Sequence, residues 1–253
     1  MAEYDRQTLG ARAGSAAAVD EGLRSYMLRV YNYMGVGLVV TGLVAWYVST
    51  LVAPDGSLLN ADGTAFATPL GAALYGSPLQ WVVMLAPLAF VLVLSFGINK
   101  LSVPAAQATF WGFAAIMGLS LSSIFLVYTD ASIAKVFFIT AATFGAMSLY
   151  GYTTKRDLTQ MGSFLMMGLI GLIIASVVNI FMQSSMLEFA ISAVGVLIFV
   201  GLTAYDTQKI KEGYDEAHGA EVLAKGAIMG ALSLYLDFIN LFMMLLRLFG
   251  NRE

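Results

Sequence analysis

Seven apolar stretches, most of them close to the length that crosses a bilayer, follow one another along this chain and take up most of it. They run Val30 to Thr50, Leu79 to Gly97, Ala105 to Val127, Ser132 to Tyr150, Met161 to Met182, from near Glu188 to Tyr205, and Gly226 to Leu246. A hydrocarbon core about 30 Å thick takes roughly 20 helical residues. Irregular backbone facing lipid would leave peptide groups unpaired, so each run must be a helix. Of 253 residues, 59% are hydrophobic and 11% charged, whereas a soluble domain carries about 25% charged residues. The pattern predicts an all-α polytopic membrane protein with seven transmembrane helices. Residues 1–29 read as a polar N-terminal arm, 30–249 as the transmembrane domain and 250–253 as a C-terminal tail. No stretch is left for a separate soluble domain.

Several function classes fall away. The chain has no cysteine and a single histidine, His218, in a polar loop. Thiolate chemistry, disulfides and a His-rich zinc site are excluded. A net charge of −3 offers no footprint for nucleic acid. The arm lacks the short apolar core and cleavage site of a signal peptide. Basic residues set the expected orientation. With the N-terminus in the cytoplasm, Arg6, Arg12, Arg24, Arg29, Lys100, Lys155, Arg156, Lys209, Lys211 and Lys225 all lie inside, and Lys135, Arg247 and Arg252 outside. The last two leave open whether the seventh run crosses fully or folds back. Trp46, Tyr47, Trp81, Tyr128, Tyr150 and Tyr152 near the run ends suggest an aromatic belt. The small-residue pairs Gly226/Gly230, Ala141/Gly145 and Gly118/Ser122 suggest close helix packing.

Inside the runs, ionisable residues are scarce. Lys135 and Glu188 sit close enough to run ends to reach water. Asp237 does not: it lies about halfway along the last run. A carboxylate at that depth costs roughly 2.5–3.5 kcal/mol to insert and marks a functional site by default. Asp206, at the end of the sixth run, is the best partner. The two can meet if the sixth helix continues through Thr207-Gln208-Lys209-Ile210-Lys211, since nothing breaks a helix before Gly213. Two carboxyl groups that close cannot both ionise freely and titrate as a unit. Protonated, they form a neutral latch; ionised, they offer hard oxygen ligands to a cation such as calcium. Asn240, three residues past Asp237, shares its face, and Tyr205 and Tyr235 are further candidates for the surroundings of the pair. Asn179 and Gln107 are expected to bond between helices.

The segments Ala204-Tyr205-Asp206-Thr207-Gln208-Lys209-Ile210-Lys211 and Leu234-Tyr235-Leu236-Asp237-Phe238-Ile239-Asn240-Leu241-Phe242 closely resemble the two hallmark segments of the Bax inhibitor-1 family. The similarity extends over essentially all seven runs, and the short arm and acidic loops look like a bacterial member of the inner membrane. The resemblance implies six helices surrounding a central seventh. It also implies a pH-sensitive calcium leak, with Asp206 and Asp237 as the sensor and no cofactor beyond the transported ion. Some bacterial members latch the pair with an arginine at the end of the second helix; here Ile98-Asn99-Lys100 stands there, and Lys100 is the nearest base. Other members are linked to the membrane protease FtsH as modulators, which makes a binding role the alternative.

An enzyme reading fits less well. Intramembrane aspartyl proteases also place aspartates on two neighbouring helices, but with glycines before the second. Here Leu234-Tyr235-Leu236 precede Asp237, and no Pro-Ala-Leu element follows. A retinal protein would need a lysine in the last run, and there is none. The expectation is a protein that is not an enzyme.

Overall fold

A computed structural model describes residues 2–54, 56–57, 59 and 66–252, with side chains from residue 21 onward. The helices are α1 (Ala2–Val52), α2 (Pro69–Tyr75), α3 (Leu79–Gly97), α4 (Val103–Leu121), α5 (Asp130–Thr153), α6 (Thr159–Met182), α7 (Ser185–Glu212) and α8 (Ala220–Phe249), with a 3₁₀ turn, Ser122–Leu126, extending α4. All but the short α2 are long and apolar enough to cross a membrane. Local chemistry sets several ends. Thr68, Ser102, Thr129 and Ser184 each accept an N–H bond at a helix start, which satisfies an otherwise orphaned donor.

The boundary placed at residue 30 falls inside α1. Expectations for residues 1–20 lie outside the described side chains. Residues 21–29, however, belong to the packed helix, and Tyr26 and Met27 are in the core.

The expected seventh helix, α8, is the centre of the bundle. In its most apolar window 72% of the residues are buried, against 6% in α6. It packs on α7, α1, α5, α4 and α3, while α6 leans on α7. The buried residues of α8 cover about two thirds of its circumference, and the stripe Met229, Ser233, Leu236, Asn240 and Met243 is only half-buried. It also crosses the whole bundle. Its start lies by Tyr26 of α1 through Gly226, and its end meets Tyr128 and Ser132 at the opposite end of the molecule. The fold-back left open by Arg247 and Arg252 does not occur.

Small residues let the helices approach at specific points. A Cβ on Gly118 would run into the Thr41 carbonyl and Val44 of α1, and one on Gly151 would overlap the backbone of Ala204 on α7. Gly226 and Gly230 face Tyr26 and Ile210. Gly145 departs from expectation, because nothing lies within 4 Å of where its Cβ would be. Trp46, Tyr47, Trp81 and Tyr150 are exposed as a belt requires, whereas Tyr128 is buried.

Candidate functional site

The pair Asp206 and Asp237 is assembled by α7 and α8. The expected continuation of α7 is present: the helix ends at Glu212 and is capped by Gly213. Two contacts set the register of the antiparallel pair. Ile210 packs on Gly230, and Met244 packs on Gly195. Between them, Asp206 and Asp237 face each other across the two helices about one turn apart in level, close enough for their carboxyl groups to interact.

In this register the first turns of α8 project past the end of α7. Asp206 is six residues before Glu212, about 9 Å at 1.5 Å per residue. Asp237 lies deeper, 11 residues past Gly226 and 13 before Gly250, the glycines that meet Tyr26 and Tyr128 at the two ends of the bundle. Asp237 is the more enclosed, at 5% exposure, and its Oδ2 has no conventional donor among the described residues. Asp206 is half-buried. The cation that bears on it is Lys209, one turn along α7, whose ammonium lies 5.9 Å from the Tyr205 ring centre. The site therefore runs from a buried carboxyl through a half-buried one to an exposed base.

The other residues expected around the pair are turned elsewhere. Asn240 donates to the Leu236 carbonyl of its own helix at 2.8 Å, so it serves backbone and not the carboxyls. Tyr235 is fully buried on another face, where its hydroxyl donates to Thr41 Oγ1 at 2.6 Å. Thr41 in turn donates to the Ala114 carbonyl at 2.8 Å. Tyr205 lays its ring over Gly162 of α6. Lys100 is exposed in the turn after α3 and joins no ion pair among the described residues, so it is not a latch in this conformation. Asn179 accepts from the Ser184 N–H at 3.0 Å and shapes the turn after α6. Only Gln107 bonds between helices as expected, to Tyr33.

Next to the pair lies a polar frame that the sequence reading missed. Tyr31 donates to Ser148 at 2.6 Å, and Ser148 donates to Thr207 at 3.0 Å, which joins α1, α5 and α7. Thr207 passes its own hydrogen to the Thr203 carbonyl. Gln208 accepts from the Leu158 N–H and donates to the Arg156 carbonyl, both at 2.8 Å. Lys211 donates to the Tyr152 carbonyl at the end of α5. The polar run Thr207 to Lys211, read as a helix extension, is also the clamp on the α5–α6 corner. Its only sequence signal was polarity persisting past the apolar run.

Comparison with known proteins draws on the whole of this architecture. The family model described as "Inhibitor of apoptosis-promoting Bax1" matches residues 23–253. The chain belongs to the Bax inhibitor family. An uncharacterized protein of Rickettsia prowazekii is 50% identical over 92% of each chain. The inner membrane protein YbhL of Escherichia coli is 48% identical over 96% of this chain and 98% of its own. An uncharacterized protein of Caulobacter vibrioides is 48% identical over 93% of this chain and 92% of its own. The Bax inhibitor match takes in every membrane-spanning helix and both aspartates.

Proposed function

We propose that this chain is a multi-pass protein of the bacterial inner membrane that leaks calcium under control of Asp206 and Asp237. The observation that carries the reading is the contact between the two carboxyl groups across α7 and α8. Two carboxylates at that range repel unless they share a proton. With the proton, the pair ties α7 to the central helix. Without it, the repulsion loosens that tie, and the same oxygens become a cation site.

Calcium is the transported ion here, not a resident metal. Calcium takes six to eight oxygens, and two carboxylates supply part of that shell. Water completes it, so the ion is held briefly, as passage requires. No residue is assigned a catalytic role.

Flux is expected to rise as pH rises through the titration of the pair, because deprotonation both breaks the latch and creates the site. The test is calcium flux into dye-loaded liposomes holding the purified chain, stepped in pH, for wild type, Asp206→Asn and Asp237→Asn. Both variants are expected to flatten the pH response. An Asp237→Asn profile that matches wild type refutes the mechanism. If that variant also still copurifies with a membrane protease, the function moves to protease modulation.

A further inference from the structure

We propose that the seam between α1 and α5 is a binding site for one anionic phospholipid, with its acyl chain along the seam and its phosphate at Arg24. The proposal stands apart from the cation reading, since neither aspartate takes part in it.

Both helices pack on α8, yet they do not pack substantially on each other. The seam between them is hollow. Toward the start of α1 it opens into a cavity of about 530 Å³ bordered by Arg24, Leu28, Tyr31, Gly145, Ser148 and Tyr152. Further along, a second cavity of about 510 Å³ is bordered by Gly35, Gly42, Phe137, Ala141 and Phe238. Phe144 borders both, so the two cavities lie next to each other along the seam, each open to the side. Gly35, Gly42 and Gly145 would each accept a Cβ with nothing within 4 Å. They make the walls smooth and serve no helix contact there.

The dimensions and the charge select the occupant. From Arg24 to Gly35 is 11 residues of α1, about 16 Å, close to half of a hydrocarbon core about 30 Å thick. A phosphate at Arg24 thus places an acyl chain of one leaflet along the groove to Gly35. Arg24 is the one charged residue among the described residues lining the first cavity, and no carboxylate opposes it. A guanidinium forks a phosphate well. A helix of another protein does not fit. The Tyr31–Ser148 hydrogen bond spans the seam at 2.6 Å, and a tyrosine plus a serine hold α1 and α5 too close to admit a third helix about 10 Å across.

The test uses the full chain purified in detergent and titrated with phosphatidylglycerol or phosphatidylcholine, with retained lipid counted by native mass spectrometry. Wild type is expected to retain one phosphatidylglycerol, at least tenfold in preference to phosphatidylcholine. Arg24→Gln is expected to abolish the preference. The double variant Gly35→Leu with Gly145→Leu fills the seam and is expected to cut retention at least tenfold. Gly171→Leu on α6, at another glycine with open space around it, is expected to retain lipid as wild type does. Equal retention of the two lipids by wild type overturns the proposal. So does wild-type retention by the double variant, or an equal loss in Gly171→Leu. Should the double variant fail to fold, an unchanged preference in Arg24→Gln overturns it alone.

Discussion

Tyr235 and Asp237 are two positions apart on α8 and serve different neighbours. Two steps along a helix turn the side chain by about 200°, so closeness in sequence misplaces Tyr235 beside the carboxyl pair. Its hydroxyl bonds Thr41, and its ring meets Phe110 and Phe113 edge-on. Tyr235→Phe should therefore lower thermal stability by about 1 kcal/mol, the usual net worth of one hydrogen bond. The pH profile of flux should stay as in wild type; a shifted profile would put the hydroxyl at the pair. Asp157 supplies a contrast in pH behaviour. It is fully exposed, and the bonds it accepts from the Thr159 hydroxyl and from the Thr159 N–H, the latter at 2.8 Å, hold its carboxyl below the usual range. A lowered folded value means that its contribution is complete above the ordinary aspartate range. It is lost as pH falls through the folded value. Melting curves of Asp157→Asn and wild type should differ by a constant amount at neutral pH and converge only in acid.

The C-terminal third of α7 is an element with two duties. One face presents Asp206 to α8, and the others hold the α5–α6 corner. Gln208 is buried, and its amide meets one backbone donor and one backbone acceptor. Gln208→Leu leaves both without a partner, at roughly 1–3 kcal/mol for each group that stays dry. The expected result is a lower melting temperature, with faster proteolysis at residues 154–158 read by mass spectrometry. Cleavage elsewhere at the same rate would show that the clamp is not what holds the corner. Gly151 marks the closest approach of α5 to α7, against the Ala204 backbone. A larger residue there must push two helices apart, so Gly151→Val should destabilise by roughly 1–3 kcal/mol or more.

Across the whole molecule, the far end of α8 is tied down as its near end is. The Thr129 N–H donates to the Asn251 carbonyl at 3.1 Å, and the Asn251 N–H donates to Ser132 Oγ at 2.8 Å. Arg252 pairs with Glu188 at 3.3 Å and sits over the Tyr128 ring at 5.8 Å. The stretch set aside as a tail thus joins α8 to the starts of α5 and α7. Ending the chain after Phe249 should cost roughly 1–3 kcal/mol, mostly in the two backbone bonds. Arg252→Ala should cost under about 1 kcal/mol, since its ion pair is exposed. Thermal melting of both variants checks the split; a larger effect from Arg252→Ala would make the ion pair the true anchor.

The number of crossing helices and most of their ends were legible in the sequence because a bilayer leaves the backbone no alternative, whereas the short α2 fell in a stretch that reads as loop. Apolar length alone dictates a crossing helix, and Gly213 alone stops α7. The cost of a buried carboxylate likewise singled out Asp237, and the absence of a helix breaker allowed Asp206 to reach it. Register, rotation and separation were decided by the tertiary structure. The overshoot of α8 past α7 depends on Ile210 meeting Gly230 and Met244 meeting Gly195, contacts between residues distant in sequence. The turning of Tyr235 and Asn240 away from the pair, and the open seam at Gly145, arise the same way. A glycine that permits a close contact and one that lines a void are the same letter, and only packing tells them apart.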